Sequence, residues 1–260
     1  MTQENKQYSL WQISGIWLVA GLPMWVLGWM VYPALSDGLT LVDSGLLRMK
    51  LLTVGLIWQF VLSMIILYRE EGNIRIETIR RRFWLNHPVS PKTGGTKKSF
   101  WWWIIPLILL VASLEMGLRS VLTDLWVAIF PFLAEPAGYD FSALMAPELR
   151  GQWAGAWDLL ALFFVLALFN TFLGEEFVFR GVLLPKMEGV FGKWDWVANG
   201  VLFAFYHLHQ PWGILADIPA ALVFAFSGKR FNSNWFPIIL HSGQSVIFLF
   251  LILGLVLGLA

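Results

Sequence analysis

Cysteine is absent from this 260-residue chain, which excludes disulfides and thiolate-ligated metal sites. Charged residues are scarce as well, at 13% of the sequence, whereas soluble domains carry roughly 25%. The formal net charge is only +1, and no basic arm is present that would bind nucleic acid phosphates. The first apolar segment is followed by no small-residue cleavage site, so we expect a retained membrane span there rather than a signal peptide.

Long apolar runs dominate the sequence, of which 58% is hydrophobic. A helix needs about 20 apolar residues to cross a bilayer, and we therefore expect an all-α, polytopic membrane helical bundle of about 7–8 transmembrane helices. The predicted spans are Trp11–Ala34, Leu46–Tyr68, Phe100–Leu118, Trp157–Leu184, Trp194–His209, Trp212–Phe226 and Trp235–Leu259. A weaker stretch, Val121–Ala134, either extends the third span or lies at the interface. Tryptophans near many span ends are typical of interfacial belts.

Basic residues are concentrated in the loop between the second and third spans. They are Arg75, Arg80, Arg81, Arg82, Lys92, Lys97 and Lys98. Positively charged loops stay in the cytoplasm, which places the N-terminus inside and the C-terminus outside. We expect residues 1–99 to form two N-terminal transmembrane helices and a basic cytoplasmic loop, and residues 100–260 to form the membrane core that holds the candidate functional residues. Both parts belong to one integral domain in this interpretation.

Two adjacent glutamates, Glu175 and Glu176, lie inside the fourth predicted span. Ionisable groups in a membrane segment are costly and usually functional. Arg180 follows Glu176 at i+4, so the two can form an ion pair on one helix face. Glu175 is turned about 100° away and has different neighbours, so we expect it to face water. A Glu176–Arg180 pair that only holds helices together is the alternative.

Histidines in two other apolar segments, His207 and His241, lie at a depth similar to that of Glu175. Helical rise puts all three roughly 11–16 Å from the cytoplasmic end of their spans. Hydrolysis of an amide needs an activated water, a general base and donors for the oxyanion. Desolvation makes a glutamate a stronger base, and a neutral histidine can share the water or support the oxyanion. His209, by contrast, is predicted to be interfacial.

Three motifs in this order resemble the CPBP family of intramembrane proteases, which groups type II CaaX prenyl endopeptidases with bacteriocin-immunity proteins. The first motif is Glu175-Glu176-Phe177-Val178-Phe179-Arg180, and the second is Phe203-Ala204-Phe205-Tyr206-His207. The third is a histidine followed at the fourth position by asparagine or aspartate, and it is matched in part by His241-Ser242-Gly243-Gln244-Ser245. The resemblance covers residues 155 to 250, approximately.

The resemblance implies a role for each matched residue. Glu175 would activate the water together with His207, and His241 would help form the oxyanion site with the residue at position 245. Phe203 would pack beside His207, while Glu176 and Arg180 would support the site. Ser245 departs from the pattern because serine donates only one hydrogen bond. Either it acts through a water, or Gln244 substitutes for it, or activity is reduced.

The resulting hypothesis is an intramembrane endopeptidase that cleaves a membrane-associated peptide or lipidated protein by a glutamate-activated water. We also expect a prokaryotic plasma membrane location with the N-terminus cytoplasmic, contacts with membrane lipids and no nucleic acid partner. No cofactor is expected; the alternative is a zinc ion held by His207, His241 and Glu175. Two other functions compete. One is a non-catalytic immunity or partner-binding protein, and the other is a transporter that uses Glu175 and Asp217 as proton carriers.

Overall fold

The computed structural model describes residues 6–90 and 93–259, so Lys92 of the predicted basic loop lies outside the described residues. Within these ranges the chain is helical, and its only β-type pairing is an isolated bridge between Val89 and Thr96. Eight helices build the bundle: α1 (Leu10–Ser36), α2 (Leu41–Glu71), α3 (Ile76–Arg82), α4 (Lys98–Ile129), α5 (Trp157–Lys186), α6 (Asp195–Tyr206), α7 (Pro211–Phe231) and α8 (Trp235–Val256). The predicted all-α membrane bundle is confirmed.

Six of these helices are long and apolar enough to cross a membrane: all except α3 and α6. The predicted span Trp194–His209 is therefore wrong as a full span. Its helix, α6, has 12 residues, which is roughly 18 Å of helix against a hydrocarbon core of about 30 Å. The weak stretch that begins at Val121 extends the third span, because α4 continues to Ile129.

The basic segments gather at one end of the bundle. Arg82 of α3 donates to the carbonyls of Gly181 and Val182 near the end of α5 (2.9 and 3.2 Å). Lys229 of α7 forms ion pairs with Glu188 and Asp195, which flank the turn between α5 and α6. The side chains predicted to face the cytoplasm are thus brought together by the fold, and this end is called the basic end below.

The segment between α6 and α7 is an interruption in the helical backbone inside the bundle. Such backbone is tolerated at membrane depth only where its polar groups find partners. Tryptophan indoles bond carbonyls in and beside this interruption: Trp29 donates to that of Leu208, Trp126 to that of Pro211 at the start of α7, and Trp17 to that of Leu202 near the end of α6, at 2.8, 2.9 and 2.7 Å. These three tryptophans are therefore structural donors, although the sequence predicts only an interfacial role for such residues.

Candidate active site

Helix α5 supplies both glutamates from its buried half. Every residue from Gly174 to Met187 is buried, as expected for a helix segment surrounded by protein on all sides. Two stretches of wider, π-helical turns, Phe169–Gly174 and Phe177–Leu183, flank Glu175 and Glu176. Turns of this kind are frequent at functional sites.

Side chains from other helices bond the carbonyls of these widened turns. Asn234, just before α8, donates to the Glu176 carbonyl at 3.2 Å. Asn199 of α6 donates to the Phe179 carbonyl at 2.7 Å, and Arg82 bonds the next turn. The position of the glutamate pair is therefore fixed from three directions.

Gly174 lets α5 approach α2 closely. A Cβ atom at this position would lie 2.4 Å from the Phe169 carbonyl oxygen and 2.8 Å from that of Leu56. Both distances are too short for a real Cβ contact, and backbone atoms cannot move aside as a flexible side chain can. The residue before the catalytic candidate must therefore be glycine for α2 to reach the site.

Glu175 lies between a tyrosine and the two histidines. The Tyr206 hydroxyl donates to Oε1 at 3.0 Å, and Gln59 of α2 donates in turn to that hydroxyl at 2.8 Å. His207 Nε2 lies 3.9 Å from Oε1, and His241 Nε2 lies 3.7 Å from Oε2. Oε2 is buried and has no hydrogen-bond donor among the described residues. The carboxylate is thus held at one oxygen and left free at the other.

Glu176 joins Arg180 to His241. Its Oε1 accepts from Arg180 Nη1 at 3.2 Å and lies 3.0 Å from His241 Nδ1. Arg180 is 1% exposed, and its guanidinium lies 3.9 Å above the ring of Phe203. The pair predicted from the i, i+4 spacing is present, and it also contacts the second histidine.

His207 follows the last residue of α6 and is oriented by its own helix. Its Nδ1 lies 3.1 Å from the Phe203 carbonyl, which can only accept, so Nδ1 carries the hydrogen and Nε2 points at Glu175. Asp217 Oδ2 lies 3.8 Å from the same Nδ1. Arg119 of α4 holds the other Asp217 oxygen at 2.8 Å. Asp217, which the transporter alternative names as a proton carrier, therefore lies beside the site and is paired with an arginine.

Aromatic rings pack against both histidines of the site. The Phe203 ring lies 5.0 Å from that of His207 and 5.7 Å from that of His241, edge to face in both cases. Phe224 of α7 stacks on His241 at 5.1 Å. Two rings from neighbouring helices thus fix the plane of His241.

Position 245, one turn after His241, is a half-buried serine, and Gln244 is exposed. Among the described residues neither forms a hydrogen bond to Glu175, His207 or His241. Exposure of Gln244 argues against its use as a substitute donor.

His209, which is predicted to be interfacial, is buried by the surrounding protein. It is 4% exposed, and its ring lies 5.6 Å from that of His207. Its Nδ1 is buried without a hydrogen-bond partner among the described residues. The turn after α6 thus brings His209 beside His207.

No group of three His, Asp or Glu side chains in the described part of the chain is arranged to hold a metal ion. His207 Nε2 and His241 Nε2 lie 3.9 and 3.7 Å from the Glu175 carboxylate. These are the atoms that would hold the zinc ion of the alternative, and the carboxylate of Glu176 on His241 Nδ1 is the usual kind of partner for a metal-binding histidine.

Comparison with known families gives one match. Residues 156–247 match the model described as "Type II CAAX prenyl endopeptidase Rce1-like". This segment, which is less than half of the chain, is similar to the CPBP family. No curated protein and no solved structure matches the chain.

The CPBP match begins at the start of α5 and ends inside α8, so it contains all seven sequence-predicted site residues. Two residues from outside it act on the site through an intermediate side chain: Gln59 of α2 donates to Tyr206, and Arg119 of α4 pairs with Asp217. Sequence reasoning missed Gln59 because one polar residue in a long apolar helix carries no spacing signal. Tyr206 lies within the second motif, but the motif does not indicate that its hydroxyl bonds the glutamate.

Proposed function

We propose that this chain is an intramembrane endopeptidase that hydrolyses a peptide bond of a membrane-associated peptide or lipidated protein through a water activated by Glu175. The observation that carries the proposal is the free, buried Oε2 of Glu175, which faces His241 while Oε1 is held by Tyr206. A buried carboxylate oxygen without a donor is costly. A water placed between Glu175 and the histidines would satisfy it.

The reaction begins with that water. It donates one hydrogen to Glu175 and the other to Nε2 of His207, which leaves a lone pair for attack on the substrate carbonyl. Glu175 takes the first proton as the oxygen–carbon bond forms. It then returns that proton to the amide nitrogen as the carbon–nitrogen bond breaks, giving a carboxylic acid and an amine. No other acid is required.

His241 supports the oxyanion in this scheme. The scheme requires a hydrogen on both ring nitrogens of His241: Nδ1–H is donated to Glu176, and Nε2–H is donated to the developing negative charge. Arg180 balances the charge of Glu176. Ser245 contributes at most one further donor.

The reaction in this scheme needs no metal, and we propose that activity is metal-independent. The measurement is cleavage by purified protein before and after treatment with a chelator, together with the metal content of each sample. Loss of activity on chelation and recovery on adding zinc alone would favour the zinc alternative.

The test of the endopeptidase proposal compares wild type, Glu175→Gln and Glu148→Gln on a panel of membrane-tethered peptides in detergent. Glu148 is an exposed glutamate in a short turn far along the chain from the site, so its variant controls for loss of one negative charge. We expect cleavage by wild type and Glu148→Gln and none by Glu175→Gln. Equal cleavage by all three would overturn the proposal.

Ser245 favours one alternative, a non-catalytic immunity or partner-binding protein on the same fold. Removal of an oxyanion donor lowers the rate on the order of 10²–10³-fold. Serine at position 245 in place of asparagine is therefore expected to lower the rate as well. Full biological function of Glu175→Gln would support this alternative.

We also propose that the basic end faces the cytoplasm. The chain has no cysteine, so single cysteines can be placed at exposed positions without other changes. Ser99→Cys should react with an impermeant thiol reagent only from the cytoplasmic side, and Ser142→Cys only from the outside. The opposite pattern would reverse the orientation.

A further inference from the structure

Arg48 of α2 is a buried arginine without an acidic partner. Among the described residues three arginines are buried, and Arg82 and Arg180 each pair with a glutamate. Arg48 is 1% exposed and forms no ion pair with any described residue. A buried charge that lacks a partner is strongly destabilising, so its presence requires a reason.

One edge of the Arg48 guanidinium is free. Nη1 donates to the carbonyl of Tyr139, and the rings of Tyr139, Phe141 and Trp212 surround the charge at 4.5, 4.7 and 5.7 Å. Nε and Nη2, which point the same way, are buried without a hydrogen-bond partner. Two parallel N–H groups in this planar fork match the two oxygens of a carboxylate.

The chain does not fill this fork itself. The acidic residues of the adjoining segment, Glu135 and Asp140, are exposed, and neither forms an ion pair with Arg48. The three rings compensate part of the desolvation by cation–π attraction, but they cannot accept two in-plane hydrogen bonds. The free fork therefore suits an acceptor that comes from outside the chain.

Arg48 is displaced from the level of the candidate active site along the axis of α2. Gly174 packs against the backbone of Leu56, and Arg48 precedes Leu56 on α2 by about two helical turns, or roughly 12 Å, away from the basic end. An extended peptide covers about 3.3–3.6 Å per residue, so three to four residues span this separation. Trp212, which contacts Arg48, follows His209 closely in the chain and connects the fork to the turn beneath His207.

We propose that Arg48 binds a carboxylate of the peptide substrate, three to four residues beyond the scissile bond. This inference rests on the proposed endopeptidase function. The carboxylate is either the C-terminal group of a short trailing peptide or the side chain of an aspartate or glutamate. Because the fork is covered, the ligand reaches it when the Tyr139 segment moves aside; between Ile129 and Trp157 this segment contains only short helical turns.

The test uses three versions of one cleavable peptide: a free C-terminal acid, its C-terminal amide, and a version with its acidic side chains changed to amides. Each is assayed with wild type, Arg48→Met and Arg82→Met. Methionine keeps much of the length of arginine without its charge, and Arg82 is a buried arginine whose partner is Glu70. For wild type, we expect neutralisation of the recognised carboxylate to raise KM by about tenfold or more, since hydrogen bonds to charged groups are strong.

Arg48→Met should bind the acid and neutral peptides equally, with the KM that wild type shows for the neutral one, whereas Arg82→Met should keep the preference for the acid. The neutralised peptide that binds wild type more weakly shows whether the recognised carboxylate is the C-terminal group or an acidic side chain. If neutralising every carboxylate of the peptide leaves the KM of wild type unchanged, the proposal is overturned. This outcome is measured on wild-type protein alone, so it does not depend on whether a variant folds. Continued cleavage of all three peptides in that case would leave the endopeptidase function intact.

Discussion

The Tyr206 hydroxyl donates a hydrogen bond to Glu175, and it can be removed with little disturbance of the surrounding packing. Tyr206 is fully buried, donates to Glu175 at 3.0 Å and accepts from Gln59 at 2.8 Å. Its ring packs against Phe179 and Phe203 at 5.1 and 6.0 Å, and these contacts remain in Tyr206→Phe. The substitution therefore removes the two hydrogen bonds and little packing.

A hydrogen bond to a charged group contributes about 1.5–3 kcal/mol, which corresponds to roughly 10–150-fold in rate if the bond acts in the transition state. A carboxylate freed from its donor is a stronger base, which offsets part of the loss. We therefore expect Tyr206→Phe to lower kcat by about tenfold, with KM nearly unchanged because the hydroxyl does not face the substrate.

The assay is steady-state cleavage of a membrane-tethered peptide by Tyr206→Phe, Gln59→Met and the double variant. Gln59 acts only through Tyr206, so the double variant should be no slower than Tyr206→Phe alone. Tyr8→Phe is the matched control, since Tyr8 also donates to a glutamate, Glu70, but at the basic end. A Tyr206→Phe protein that folds normally and keeps kcat within twofold of wild type would refute the reasoning.

Three further predictions follow from the same contacts. Asp217→Asn should lower kcat several-fold without raising KM, because Asp217 Oδ2 lies 3.8 Å from His207 Nδ1 and helps to orient the ring; an unchanged kcat would exclude this support. Ser245→Asn should raise kcat by tenfold or more if position 245 supplies an oxyanion donor, and an equal or lower kcat would contradict that role. Trp29→Phe should destabilise the protein by about 1 kcal/mol, seen as a lower melting temperature in detergent, because it leaves the half-buried Leu208 carbonyl without its donor; the same change at Trp11, which is 87% exposed, should not.

Local spacing explains which features could be predicted from sequence. Apolar runs of span length identify α1, α2, α4, α5, α7 and α8 because length and hydropathy are properties of a single segment. The Glu176–Arg180 pair follows from the i, i+4 rule for the same reason. The convergence of Glu175, His207 and His241 could be anticipated from similar depths in three helices, although depth alone does not give side-chain direction.

The failures concern the point where a helix stops. Hydropathy continues through His209, so it predicts a full span, whereas the helix ends at Tyr206. One signal was present: Pro211 disfavours helical backbone at Gln210, which has φ −145° and ψ 64°. The partners Gln59 and Arg119 could not be predicted, because contacts between helices far apart in sequence leave no local pattern.

The interruption after α6 also shows that the matched segment is not self-sufficient. A helix that ends inside the bundle exposes carbonyl groups that need donors, and two of the three indoles that bond this region, Trp17 and Trp29, belong to α1. The third, Trp126, belongs to α4. All three lie outside residues 156–247. The geometry of His207 therefore depends on helices that the family match does not include, and a shortened protein limited to α5–α8 would leave the turn that carries this histidine without its hydrogen-bond donors.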